Sequence, residues 1–251
     1  MSQSNKFKTQ ATAFYILLLY IACQLSGLLL LIPGVGDLFL QFIDADTKES
    51  GIILVAWWST ITMAITFIVS FILISKNKNF WNVFKGEKAS IGESIGWGIL
   101  GFFLVLVGQS IAANIEMALG IPMGSENTET IVLITEIAPI MMVTTVLFAP
   151  ILEELIFRRV VFGSIIQTQN FWLAGIISAI VFAAIHLEFT HLLIYAVSGL
   201  IFAFLYYKTK RLLTSIIAHM LLNGFVSITQ LFIDDIERIM KEMQMILIFL
   251  P

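Results

Sequence analysis

Three stretches of this chain set polar side chains one helical turn apart. Residues 148–159 read FAPILEELIFRR, with Glu153, Glu154, Arg158 and Arg159; further on come Phe182 with His186, and His219 with Asn223. Residues four apart lie on one face of a helix. Glu154 therefore stacks with Arg158, Phe182 with His186, and His219 with Asn223. Glu ahead of Arg is the favourable order for such a pair. Glu153 points about 100° round the helix from Glu154. One carboxylate can thus be neutralised by Arg158 while the other stays free as a base, the division that general acid–base chemistry needs. Each feature also has a plain structural reading. A Glu–Arg pair at the end of a membrane helix can be an interfacial ion pair, and a lone His, or His219 with Asn223, can be interhelical glue. Pro150 loosens the helix one turn before the glutamates by withholding an N–H from Val146, either to help hold water or as a packing kink.

The rest of the chain makes these groups conspicuous. Of 251 residues 59% are hydrophobic and 12% charged, against about 25% charged in soluble domains. Mean hydropathy is +0.95. The composition indicates an all-α, polytopic transmembrane helix bundle. A net charge of −3 leaves no basic face for nucleic acid. The single Cys23 allows neither an intrachain disulfide nor a cysteine zinc cage. With about 20 apolar residues needed per span, seven spans are predicted: 11–32, 52–74, 95–119, 137–162, 171–187, 192–207 and 212–232. The apolar tail 243–250 either lies in the interface or completes an eighth span. The chain divides into N-terminal spans in 1–125 and a helix core in 126–251, as one integral membrane unit.

Charge asymmetry predicts orientation. With the N-terminus cytoplasmic, one side holds Lys6, Lys8, Lys76, Lys78, Lys85, Lys88, Arg158, Arg159, Lys208, Lys210 and Arg211, and the other only Lys48, Arg238 and Lys241. The loop 33–51 carries Asp37, Asp44, Asp46 and Glu49 on that outer side. Ionisable groups inside a bilayer are costly, at least ~2.5–3.5 kcal/mol at mid-depth on insertion scales. The first two spans carry none, the third only Glu116 near its end, and the rest concentrate in three C-terminal helices. His191 is expected in a loop or at the outer rim. His186 falls further along its helix than Glu153 and His219, so convergence requires a tilted or extended helix.

The ordered set Glu153-Glu154-x-x-x-Arg158, Phe182-x-x-x-His186 and His219-x-x-x-Asn223 resembles the CAAX protease and bacteriocin-processing (Abi) family, which includes the type II CAAX prenyl endopeptidases. The resemblance covers roughly residues 130–230, and looks most like members from Gram-positive bacteria. It implies an intramembrane endopeptidase of the cell membrane. Glu153 would be the general base and His186 would hold the same water. His219 and Asn223 would donate to the oxyanion. Glu154 with Arg158 would orient the site, and Phe182 would support His186. A membrane-associated peptide or protein is the implied substrate partner.

Glu153, His186 and His219 also compose a zinc set. No His-Glu-x-x-His helix is present, and an amide one turn from His219 suits an oxyanion better than a metal, so no cofactor is the favoured expectation and zinc the alternative. Other functions share this composition. A non-proteolytic scaffold or bacteriocin-immunity protein would tolerate loss of Glu153. A proton-coupled transporter would show repeat symmetry, which the sequence lacks.

Overall fold

The computed structural model describes residues 3–43 and 48–249, and every regular element among them is helical. Helix α1 (Gln3–Leu25) continues as a 3-10 turn, Ser26–Leu31, until Pro33 and Gly34 turn the chain. A short helix, α2 (Val35–Ile43), follows where a loop was expected. Val35, Leu38, Phe39 and Phe42 recur at helical spacing, and the Phe39 ring meets Trp58 at 5.3 Å. Asp44 and Asp46 of that expected loop lie outside the described residues.

Long helices α3 (Ser50–Ser75) and α4 (Ile91–Ala118) come next. α4 begins at a capping box: Ser90 accepts from the Glu93 N–H while the Glu93 carboxylate accepts from the Ser90 N–H. α5 (Glu126–Ile137) is capped by Ser125 and ends at Ala138, where Pro139 disfavours helical backbone. The chain resumes as α6, residues 141–165, then α7 (Phe171–Ala184), α8 (Leu192–Thr209), α9 (Leu212–Leu231) and α10 (Ile233–Phe249). Of the expected tail helix, Leu250 lies outside the described residues.

Five segments are long and apolar enough to cross a bilayer: Phe7–Leu31, Ser50–Ser75, Ile91–Ala118, Phe189–Thr209 and Leu212–Leu231. Two of the seven expected spans have a different character. α6 carries both glutamates and both arginines of the motif. α7 has 14 residues, about 21 Å at 1.5 Å per residue, short of a hydrocarbon core of ~30 Å.

Small residues let the helices of the site approach closely, as membrane packing requires. A Cβ on Gly98 would lie 2.8 Å from Ile217, and one on Gly199 would lie 2.9 Å from the backbone of Ala179. The loop 76–90 is fastened to this bundle. The Arg159 guanidinium donates to the Phe80 carbonyl and lies over the Phe80 ring at 4.1 Å. The Ala89 N–H donates to Thr209 at 3.0 Å, and Arg211 donates to the Ala89 carbonyl. Lysines therefore gather at one end of the bundle, while Glu126, Glu129 and Glu188 gather at the other.

Gly199→Val should force α7 from α8, costing about 1–3 kcal/mol by overpacking. Thermal unfolding in detergent should show a lowered midpoint, whereas Gly96→Ala, where a Cβ meets nothing within 4 Å, should leave it unchanged.

Candidate active site

α6 departs from α-helical geometry in two places. The Ala149 N–H donates to the Thr144 carbonyl and the Gly163 N–H to Arg158, both five residues back, giving π-helical stretches at Thr144–Phe148 and Glu154–Phe162. Such wide turns occur mostly at functional sites. Pro150 stands between them. In the five-residue register its missing N–H would have met Thr145, so that carbonyl lacks its helical donor. The Asn223 amide supplies one from α9, at 2.9 Å. Ser178 of α7 likewise donates to the Phe157 carbonyl at 2.7 Å. The carbonyl expected to lack a donor is Val146; the wide turn shifts that loss to Thr145, and side chains of neighbouring helices bond the backbone there.

The paired glutamates occupy different surroundings. Glu154 is fully buried, with its Oε2 3.2 Å from Arg158 Nε, also fully buried. The contact is one of charge, because no nitrogen of Arg158 has an aligned hydrogen-bond partner. The faces of Phe182 and Phe202, at 4.6 and 5.3 Å from the guanidinium carbon, complete the enclosure. Such cation–π contacts are worth ~2 kcal/mol when desolvated. Glu153 instead lines a cavity of about 490 Å3 together with His186, His219, Asn223 and Tyr195.

His219 bridges the two carboxylates. Its Nδ1 lies 3.1 Å from Glu154 Oε1 and its Nε2 3.7 Å from Glu153 Oε2. A carboxylate accepts, so Nδ1 donates and Nε2 is the atom turned to Glu153. The ring stacks on Phe202 at 4.6 Å. The expectation of a wholly unpaired Glu153 is thereby refined: it meets His219 through a longer contact, while Glu154 takes the hydrogen bond and the arginine.

His186 reaches the cavity because α7 is short. The helix ends at Ala184, and His186 Nδ1 donates back to the Phe182 carbonyl at 2.8 Å. This leaves Nε2 as the remaining ring nitrogen, and Phe182 packs against His186 at 4.8 Å.

Sequence spacing missed what holds His186 in place. The Tyr195 ring stacks on it at 4.1 Å, and its hydroxyl donates to Glu188 Oε2 at 2.9 Å. The Ser125 hydroxyl donates to the same oxygen at 2.8 Å, and the Glu126 N–H to Oε1 at 2.7 Å. Burial would raise the pKa of Glu188, but the Ser125 and Tyr195 hydroxyls and the Glu126 N–H hold the carboxyl below its ordinary value. Between His186 and Glu188, Leu187 has φ +57°, a left-handed conformation that leucine rarely adopts. Its one sequence signal was the alternation of polar residues in 186–191. His191, expected in a loop or at the outer rim, does lie in the turn before α8, where it is buried and lines the cavity, with Nδ1 2.8 Å from Glu116 Oε2.

Among the described residues, no three His, Cys, Asp or Glu side chains are grouped to hold a metal ion. His219 Nδ1 and His186 Nδ1 are both committed to oxygens within the protein. That bonding fixes each ring and leaves Nε2 as its remaining nitrogen, the arrangement that orients a histidine toward a water or an oxyanion and also the one found in metal-ligating histidines.

Residues 135–225 match the family described as type II CAAX prenyl endopeptidase Rce1-like. A Bacillus subtilis (strain 168) protein named for a membrane peptidase, YdiL, is 39% identical over 222 residues, 87% of this chain and 88% of its own. The membrane-embedded CAAX protease MroQ of Staphylococcus aureus (strain USA300) is 37% identical over 144 residues, 55% of this chain and 58% of its own. The UPF0177 protein YxdF of Lactococcus lactis is 35% identical over 80 residues, 32% of this chain and 44% of its own. No solved structure matches at a significant level.

The coupling between Asn223 and Pro150 is measurable. Asn223→Leu should strand the Thr145 carbonyl and cost about 1–3 kcal/mol. Pro150→Ala restores an N–H beneath that carbonyl, so the double variant should be more stable than Asn223→Leu alone. Additive losses in a thermal double-mutant cycle would show that Asn223 does not serve this carbonyl.

Proposed function

The chain belongs to the Rce1-like family of type II CAAX prenyl endopeptidases, and from that premise we propose that it is an intramembrane endopeptidase of the glutamate type, cleaving membrane-associated peptides or proteins. One observation carries the reading. Of two adjacent glutamates, Glu153 faces a cavity beside two histidines and an amide, while Glu154 is sealed against Arg158.

In this mechanism Glu153 takes a proton from a water held between its carboxylate and His186 Nε2. The hydroxide attacks the scissile carbonyl carbon. Negative charge then develops on the carbonyl oxygen, where the second N–H of Asn223 and a protonated His219 Nε2 donate. Glu153 returns its proton to the leaving amine as the C–N bond breaks. Glu154 and Arg158 do not touch substrate; Glu154, held by Arg158, fixes His219 through Nδ1 so that Nε2 faces the oxyanion. Phe182 supports His186 and covers Arg158.

The proposed topology has seven spans, with α6 and α7 joining the five long apolar helices and α10 at the surface or as an eighth. The N-terminus and the loops 75–90 and 208–211 are cytoplasmic in the cell membrane. Membrane-impermeant thiol labelling of intact cells, in a Cys23→Ala background, should leave cysteines at Lys78 and Lys210 unlabelled. Labelling of both from outside would reverse the orientation.

Glu153→Gln should abolish peptide release while the protein stays folded and abundant. Glu154→Gln leaves Arg158 buried without its counter-charge, a loss of ~3–5 kcal/mol for a fully buried pair. It should lower the unfolding temperature as well as turnover, and adding Arg158→Met should restore stability better than turnover. Turnover of wild type in nanodiscs should persist in strong chelators. A stable, inactive Glu154→Gln beside an active Glu153→Gln would assign the base to the other carboxylate.

A further inference from the structure

At the lysine-rich end, where α3, α8 and α9 meet α6, lies a second cavity of about 390 Å3. Its walls are apolar: Phe71, Ile151, Leu155, Leu213 and Ile216, with Trp81 and Tyr206 at its sides. Three cations, Lys88, Lys210 and Arg211, also line it. Among the described residues none of the three forms an ion pair. Each is placed by backbone instead. Lys88 Nζ donates to the Trp81 carbonyl at 3.4 Å and Arg211 to the Ala89 carbonyl. Lys210 adopts φ +55° and sets its ammonium against Gly86, where a Cβ would lie 3.0 Å from Nζ. Gly86 has φ +81° as well, so a residue without a Cβ serves both the turn and the lysine.

A fourth source of positive potential points the same way. α9 starts at Leu212 directly after Arg211, and no side chain caps it. The positive end of the dipole of a 20-residue helix therefore stands at this groove, whose lining includes Leu212 and Leu213, while the Thr214 N–H is bonded to the Arg211 carbonyl. Half-buried Lys210 and Arg211 beside an uncapped N-terminus, with no carboxylate in contact, make a site that lacks an anion. The level is also decisive. α3 ends at Ser75, α8 at Thr209, and α4 begins at Ile91, so the cations stand where the apolar spans terminate and lipid headgroups lie. Cations above an apolar wall at that depth match the two halves of a phospholipid.

We propose that this groove seats an anionic phospholipid. Lys88, Lys210 and Arg211 hold its phosphodiester, the dipole of α9 adds to them, and its first acyl carbons lie on Ile151, Leu155 and Ile216. The lipid occupies the opposite face of α6 from the cavity lined by Glu153, and is separate from the peptide site.

The test uses full-length protein in nanodiscs of phosphatidylcholine alone or mixed with phosphatidylglycerol. Phosphatidylglycerol should raise the unfolding temperature of wild type by several degrees. The double variant Lys88→Gln/Lys210→Gln should keep less than half of that rise, and native mass spectrometry should show it retaining less phosphatidylglycerol. Lys88→Arg/Lys210→Arg should behave as wild type. Lys76→Gln/Lys78→Gln loses the same charge outside the groove and should keep the full rise. Equal rises in all four proteins would reduce the effect to general surface charge and overturn the site. Inorganic phosphate reproducing the rise in phosphatidylcholine would overturn the lipid as occupant.

Discussion

The structure turns on an ion pair held entirely out of water. Glu154 and Arg158 are both fully buried, and removing each from water costs several kcal/mol that their mutual attraction recovers only with good surroundings. Those surroundings are drawn from three other helices. His219 of α9 bonds the carboxylate, while Phe182 of α7 and Phe202 of α8 cover the guanidinium. A rigid polar centre of this kind leaves His219 one orientation, with Nδ1 toward Glu154 and Nε2 toward Glu153. The arrangement of the candidate catalytic groups follows from neutralising a charge that does not itself face the cavity.

The second constraint is backbone bonding in the wide helix. In an apolar medium each unpaired carbonyl is expensive, and a π-turn next to a proline leaves one. Asn223 bonds the Thr145 carbonyl, and so ties α9 to α6 at the level of Glu153. Ser178 does the same from α7 at Phe157. Groups that look catalytic in sequence thus also hold the scaffold, and Asn223, bonded to Thr145 through one N–H, keeps the second N–H of its amide for the cavity it lines.

A third layer surrounds His186. Its ring is fixed from below by Phe182 and from the side by Tyr195, whose hydroxyl is tied through Glu188 to the start of α5. The left-handed Leu187 is the backbone cost of turning the chain there. Charge is partitioned as well: carboxylates cluster at the end near His186, and lysines at the end where α6 meets the loop 76–90. The two cavities lie on different faces of α6, one lined by Ala149 and Glu153 and the other by Ile151 and Leu155.

Much of this was legible in the residues alone. The membrane class follows from composition, because so few charges cannot solvate a surface of this size. Five of the expected spans match the long apolar helices to within a few residues. The pairing of Glu154 with Arg158 follows from spacing, since i and i+4 share a face in any helix. Tertiary structure decided the rest. That α7 stops at 14 residues, that Thr145 needs Asn223, that Tyr195 braces His186 and that His191 finds Glu116 are contacts between segments distant in the chain. Periodicity reports which face of a helix is apolar, but not which neighbour covers it or at what depth. The short α2 escaped notice because its apolar positions were too few to span, and while spacing already paired Glu154 with Arg158, packing alone opened a cavity beside Glu153 and closed over Glu154.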